Sequence, residues 1–449
     1  MSGKKEARKP QDLNRGAANQ FQTVGWVSAV LDLEGRFGKL AGLMKHVLQL
    51  TMLWLLAAGF APLWRLGAQE AGAIAAGKAT AEQVSLEREV EQGRGLKFLR
   101  PVAYRSMKSA EFKGFLKKKI RGEYTPQEIC DYSRALGMIG LVPEGVDFEA
   151  KVMEVMDEQV AAFFDQDAGL LYTFADSPLQ GNLNLMILAH ELTHVLQDQH
   201  FHLKQWPLKR KDNDDLVTAH LAVLEGDATI VMEKVYKRMS KLRTTLTDLS
   251  NALAQDTGKL QRAPRYFRDM LLFPYQEGRA FIEELERMGG PELVNSAFRS
   301  PPATTAQVLH PKKFHPKREE PLPSAPDATA EPGWRRLSVN TVGEFGMIVL
   351  LRQFDHESDA AALAEGWRGD GYVAFETGGG NGLLRWRSEW ASSAAAKRFA
   401  NAYRDVITKR NAHRRPALAL ELKESNSRVD VTLRVPATAG DPPVGVGTK

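Results

Sequence analysis

Residues Leu185–Leu203 read LMILAHELTHVLQDQHFHL and place His190, His194, His200 and His202 within thirteen residues of a 449-residue chain that holds ten histidines. The apolar positions recur at helical spacing. Ser177 and Pro178 upstream supply a cap and a first-turn proline for such a helix. Residues four apart stack on one helix face, so the imidazoles of His190 and His194 can reach one ion. Glu191 lies about 100° round the same turn, close enough to hold a water without ligating. This H-E-x-x-H pattern needs a third protein ligand, with a fourth position left to water, before it describes a metal site.

His200 and Glu225 compete for that role. For His200 to serve, the helix must end at a glycine three residues past His194 so that the chain can turn back. That position is Gln197, which resists positive φ, and continued helix turns His200 about 240° away from His194. Glu225 belongs to a second amphipathic helix, DDLVTAHLAVLEGDATIVMEKVYKRM, where it interrupts the apolar stripe of Leu221, Leu224, Ala228, Val231 and Val235. A buried carboxylate is costly unless paired or bound to metal. Gly226 and Ala228 are small, as needed where two helices close around one ion. Asp227 points elsewhere, and His220 lies on another face. The expected ligands of one zinc per chain are therefore His190, His194 and Glu225.

Four blocks of sequence follow in order: H-E-L-T-H-x-L-Q-D-Q-H-F at His190–Phe201, E-G-[DE]-A at Glu225–Ala228, F-P-Y-x-x-G-x-x-F at Phe273–Phe281 and T-x-Q-V-L-H-P at Thr305–Pro311. In these the chain resembles the gluzincins, the thermolysin-like zinc peptidases, and more narrowly a group of exported bacterial gluzincin-like proteins. The resemblance covers about residues 95–410. It implies a thermolysin-like fold, a zinc ion and hydrolysis of a peptide or protein substrate. In that chemistry Glu191 is the general base, and the tetrahedral oxyanion needs a donor besides zinc. Tyr275 and His310, both in loop-like contexts, are the candidates; packing alone would also account for either. The strand GLLYTF before the H-E-x-x-H helix corresponds in order to the gluzincin edge strand that pairs with an extended peptide. One departure stands out. Thermolysin orients its first histidine with an aspartate four residues after the ligand glutamate, and here that position is Thr229. Asp198, another carboxylate or a backbone carbonyl would have to replace it.

The remaining sequence sets the organisation. With 43% hydrophobic and 26% charged residues, the bulk reads as ordinary soluble globular protein. The single cysteine, Cys130, rules out an intramolecular disulfide and a thiolate cluster, and its helical setting suggests a buried thiol. The net charge of +5 sits in short clusters (Lys117–Lys119, Lys209–Lys211 and around Lys312), none followed by a nucleic-acid module, which argues against nucleic-acid binding. Val47–Trp64 is an uncharged apolar run of 18 residues, preceded by Lys45 and His46 and followed by Ala71-Gly72-Ala73. These are the ingredients of a secretory signal starting at Met44, or of a membrane anchor, so the chain is expected to be exported and to meet a membrane through this segment alone.

The expected fold is α+β. Residues 1–73 form the N-terminal extension, 74–95 a mobile spacer or short helix, and 96–315 a mainly helical, thermolysin-like core with a small edge sheet. That sheet is read from AAFFDQDAGLLYTFAD as a strand pair turning at Asp165–Gly169. Residues 316–334 are a Pro-rich linker. Residues 335–436 form a small α+β domain with GGGNG as a hairpin turn, and 437–449 a flexible tail. The alternative to a peptidase is a non-catalytic protein of the same fold that binds zinc or a partner at the cell envelope.

Overall fold

The computed structural model describes residues 79–156, 162–176, 182–239, 260 and 262–438. The apolar run 47–64 and the Ser177-Pro178 cap lie outside them. Among the described residues no helix is long and apolar enough to cross a membrane. The class is α+β, with eleven α-helices and two sheets among the described residues.

Of the spacer and the short helix expected before residue 95, the structure has the helix, from residue 81. Thr80 and Gln83 exchange side-chain bonds to each other's backbone N–H in a capping box, at 2.8 and 3.2 Å, and Gly95 ends the helix in the left-handed region. This helix, α1 (Ala81–Arg94), buries Leu86, Val90 and Arg94. Leu86 and Val90 share the buried face of a helix otherwise rich in Glu and Gln.

Next come β1 (Tyr104–Met107), α2 (Ser109–Glu123), α3 (Pro126–Ile139) and α4 (Phe148–Met156). Cys130 lies on the exposed side of α3, beside buried Ile129, and not in the core. The hairpin β2 (Ala162–Asp165) and β3 (Leu170–Phe174) turns where the sequence places it. The strand order is β1-β3-β2, with β1 parallel to β3. Leu170–Phe174 is therefore the central strand and β2 an edge, the reverse of the role expected for GLLYTF. Stacked rings of Phe163 and Tyr172, 4.7 Å apart, fix the hairpin register.

Three long helices build the centre: α5 (Asn182–Phe201), α6 (Asp214–Met239) and α7 (Arg265–Arg299), the last kinked at Gly289-Gly290. Helices α6 and α7 cross backbone to backbone. A Cβ on Gly226 would stand 2.2 Å from the Gly278 carbonyl carbon, and one on Gly278 would stand 2.2 Å from the Ala222 oxygen. Glycine at both positions is what lets α7 carry its Phe273–Phe281 block against the Glu225 helix. Tyr275 thus sits inside a helix, not a loop. Pro274 forfeits one helical N–H, but the packing of Phe273, Tyr275 and Phe281, all buried, outweighs it.

After α8 (Thr305–Leu309), the C-terminal part comprises β4 (Trp334–Asn340), α9 (Gly343–Arg352), α10 (Ala360–Ala364), β5 (Trp367–Thr377), β6 (Gly382–Trp390), α11 (Ser393–His413), β7 (Ala419–Ser425) and β8 (Arg428–Val435). Its antiparallel sheet runs β4-β5-β6-β8-β7. The Pro-rich segment before it is no free linker. It crosses the sheet face, with Leu322 N–H donating to Arg368 O at 2.6 Å, Ser324 Oγ to Arg387 O at 3.0 Å and Arg385 to Thr329 O at 2.8 Å. Prolines suit such a strap because they hold the chain extended without needing ladder partners. One continuous hydrophobic core runs from Leu86 to Val435, so the two parts are packed together. At their junction Asp370 accepts from the N–H groups of Val342 and Gly343 (2.9 Å each), Trp367 Nε1 (3.1 Å) and Trp386 Nε1 (2.9 Å), and Asp215 accepts twice from Thr305.

Candidate metal centre

Helix α5 presents His190 and His194 one turn apart, their rings 4.7 Å from centroid to centroid and nearly perpendicular. Helix α6 brings Glu225 opposite. His190 Nε2 lies 3.0 Å from Glu225 Oε2 and 3.1 Å from His194 Nε2, and His194 Nε2 lies 3.5 Å from Glu225 Oε2. These three form the only group of its kind among the described residues, and all are fully buried. Four ligands at about 2.0–2.1 Å in a tetrahedron stand about 3.3 Å apart, so the triangle has the dimensions of one face of a zinc site.

The hydrogen-bond account points the same way. One proton on His190 Nε2 cannot serve both Glu225 and His194, and Glu225 Oε1 and His190 Nδ1 are buried with no hydrogen-bond partner. Burial would raise the Glu225 carboxyl, but His194 and His190 hold it down at about 2. Burial also lowers His190. His194 is drawn up to about 9 by Glu225 against the effect of burial. The residues fit a divalent cation held by two imidazoles and a carboxylate.

Around this triangle, Glu191 is 1% exposed and its Oε2 accepts the Phe164 N–H of β2 at 2.9 Å. Burial pushes its carboxyl up to about 8, with Glu225 adding to the rise and His194 and the Phe164 amide opposing it. Tyr275 lies over His190, ring centroids 6.0 Å apart and planes at 28°. His310 is not part of the group. It pairs with buried Glu344 at 2.6 Å, near Lys313, and so ties the end of α8 to α9. His200 faces the Lys97 carbonyl at 2.7 Å on the surface, and His220 bonds Leu216 O at 2.8 Å beside Trp206. Burial lowers His220 to about 4. Asp198 accepts from the Leu203 amide.

Two residues that sequence reasoning set aside belong to the centre. Gln197 faces His194 Nδ1 at 2.9 Å through Oε1, and its Nε2 reaches Asp227 Oδ2 at 2.9 Å and Leu224 O at 3.1 Å. Asp227 in turn pairs with Arg94 of α1 at 2.8 Å. The signal for Gln197 was available: a residue three past a ligand histidine shares its helix face. Nothing local marked Arg94.

Residues 334–439 match a family described as Domain of unknown function (DUF8575). No curated protein and no solved structure matches the chain. The matched residues span the five-stranded sheet and its helices, and every residue of the metal centre lies outside them.

Proposed function

We propose that the protein is an exported, zinc-dependent metallopeptidase of the gluzincin type. The observation that carries this reading is the buried His190–His194–Glu225 triangle with Glu191 one position from a ligand and against an edge strand. Two imidazoles and one carboxylate at tetrahedral spacing are a donor set typical of catalytic zinc. Zinc bound there supplies Lewis acidity, polarising a peptide carbonyl and acidifying water. Glu191 takes a proton from the attacking water and returns it to the leaving amine nitrogen. Tyr275 flanks His190, placed to steady that ring and to offer its hydroxyl to the carbonyl oxygen. β2, the edge strand beside Glu191, is the strand to which an extended peptide would add. Export rests on the apolar run 47–64 and its flanks.

A second reading is favoured by one observation: all four core residues are at most 1% exposed and Glu191 is already bonded to Phe164. A centre so enclosed suits a non-catalytic zinc-binding protein as well. The experiment digests a diverse peptide library with wild type, Glu191→Gln and chelator-treated protein. Glu191→Gln keeps size and hydrogen bonding but cannot accept the proton, so zinc should remain while turnover falls about 10²–10⁴-fold. Equal cleavage by both forms, or zinc in both and cleavage by neither, would remove the peptidase reading.

A further inference from the structure

We propose that Gln197, Asp227 and Arg94 form a relay that orients His194 for metal binding. The inference rests on His190, His194 and Glu225 being a metal centre. Its argument is one of donors and acceptors. The Arg94 guanidinium can only donate, and its Nε stands 2.8 Å from Asp227 Oδ2. The Gln197 amide nitrogen faces that same carboxylate oxygen at 2.9 Å and the Leu224 carbonyl at 3.1 Å. Both partners only accept, so the amide cannot turn over without setting its own oxygen against two acceptors. Gln197 Oε1 is therefore the atom that meets His194 Nδ1 at 2.9 Å, and Nδ1 must carry hydrogen. The nitrogen left to ligate is Nε2, the one that faces His190 and Glu225.

Burial makes the relay exacting. Gln197 is 1%, Asp227 3% and Arg94 7% exposed, so water cannot replace a missing partner. The far end is anchored as well: Arg94 donates to Asn295 Oδ1 at 2.9 Å and lies 5.5 Å from the Phe298 ring centre, both on α7. The first histidine has no such device. His190 Nδ1 and Thr229 Oγ1 are both buried without a hydrogen-bond partner, and the Tyr275 ring lies against the imidazole instead. The centre is thus asymmetric, with orientation concentrated on its second imidazole and reaching back to α1.

The test measures Zn²⁺ affinity of the full chain by competition with a chromophoric chelator, and the visible spectrum of the Co²⁺-substituted protein. Gln197→Leu should weaken Zn²⁺ binding about 10–100-fold and alter the Co²⁺ bands. Arg94→Met removes the far donor without touching the residues around the ion, and should weaken binding several-fold even if Gln197→Leu does not fold. Unchanged affinity in Gln197→Leu or in Arg94→Met overturns the relay. A wild type that takes up no Zn²⁺ instead overturns the metal centre itself, so the two failures are distinguishable.

Discussion

Two buried carboxylates in this molecule are treated in opposite ways. Asp370, at the junction of the two parts, is surrounded by four N–H donors and lacks nothing. Glu225, equally enclosed, has one oxygen with no partner and the other crowded by two imidazole nitrogens. A carboxylate kept for structure is saturated with donors, because an unmet charge in the interior is too costly. One left under-satisfied beside two imidazole nitrogens has room in its bonding for a cation.

Exchange of each residue gives the largest expected effects. Glu225→Ala should abolish stoichiometric zinc, measured by elemental analysis, while a folded chain remains. Asp370→Ala should leave metal uptake intact but strand several buried donors, each costing about 1–3 kcal/mol. The expected loss is at least about 3 kcal/mol in denaturant unfolding. Full zinc in the Glu225 variant, or metal loss without destabilisation in the Asp370 variant, would erase the contrast.

The next effect is a pH dependence seated at the junction. Burial pushes the Asp215 carboxyl up to about 7, the Asp370 and Glu344 charges add to the rise, and the Thr305 donors oppose it. Folded Asp215 therefore holds its proton more tightly than the unfolded chain does. Its contribution is fully present below about pH 4 and is lost as the pH rises through about 7. The swing is about 2–4 kcal/mol. Denaturation series at pH 4 to 8 should show this fall in wild type and a flatter profile in Asp215→Asn; identical profiles would place the titration elsewhere.

Gly226→Ala probes how the centre is assembled. Its methyl would enter the α7 backbone, so overpacking of about 1–3 kcal/mol is expected, with weaker metal binding as Glu225 is pushed from the histidines. Unaltered affinity and stability would show that the crossing does not set the site. The smallest effect belongs to His200→Ala, at the exposed end of α5: zinc retained and stability within about 0.5 kcal/mol of wild type. Loss of zinc there would reopen the ligand assignment.

Legibility followed the range of the interactions. His190 and His194 could be paired from spacing because helix geometry is local, and Glu225 stood out as a charge in an apolar stripe. The β2–β3 turn and the GGGNG hairpin turn were readable for the same reason. Tyr275 was picked from its motif but misread as loop, since the force that keeps Pro274 in a helix is packing against another helix. His310 carried no local mark of its partner, and Glu344, 34 residues further on, claimed it. The strap escaped because composition reports the average polarity of a segment, not the one face it buries.

The sequence by itself determined the α+β class and the three ligand candidates, because helical and strand periodicities and the cost of a buried charge act within a few residues. Only the tertiary structure decided that β2 is the edge strand beside Glu191, that Gly226 meets Gly278, and that Arg94 reaches His194 through Asp227 and Gln197. Those outcomes depend on which donors and acceptors are sealed together away from water, and that is settled by packing between segments far apart in the chain.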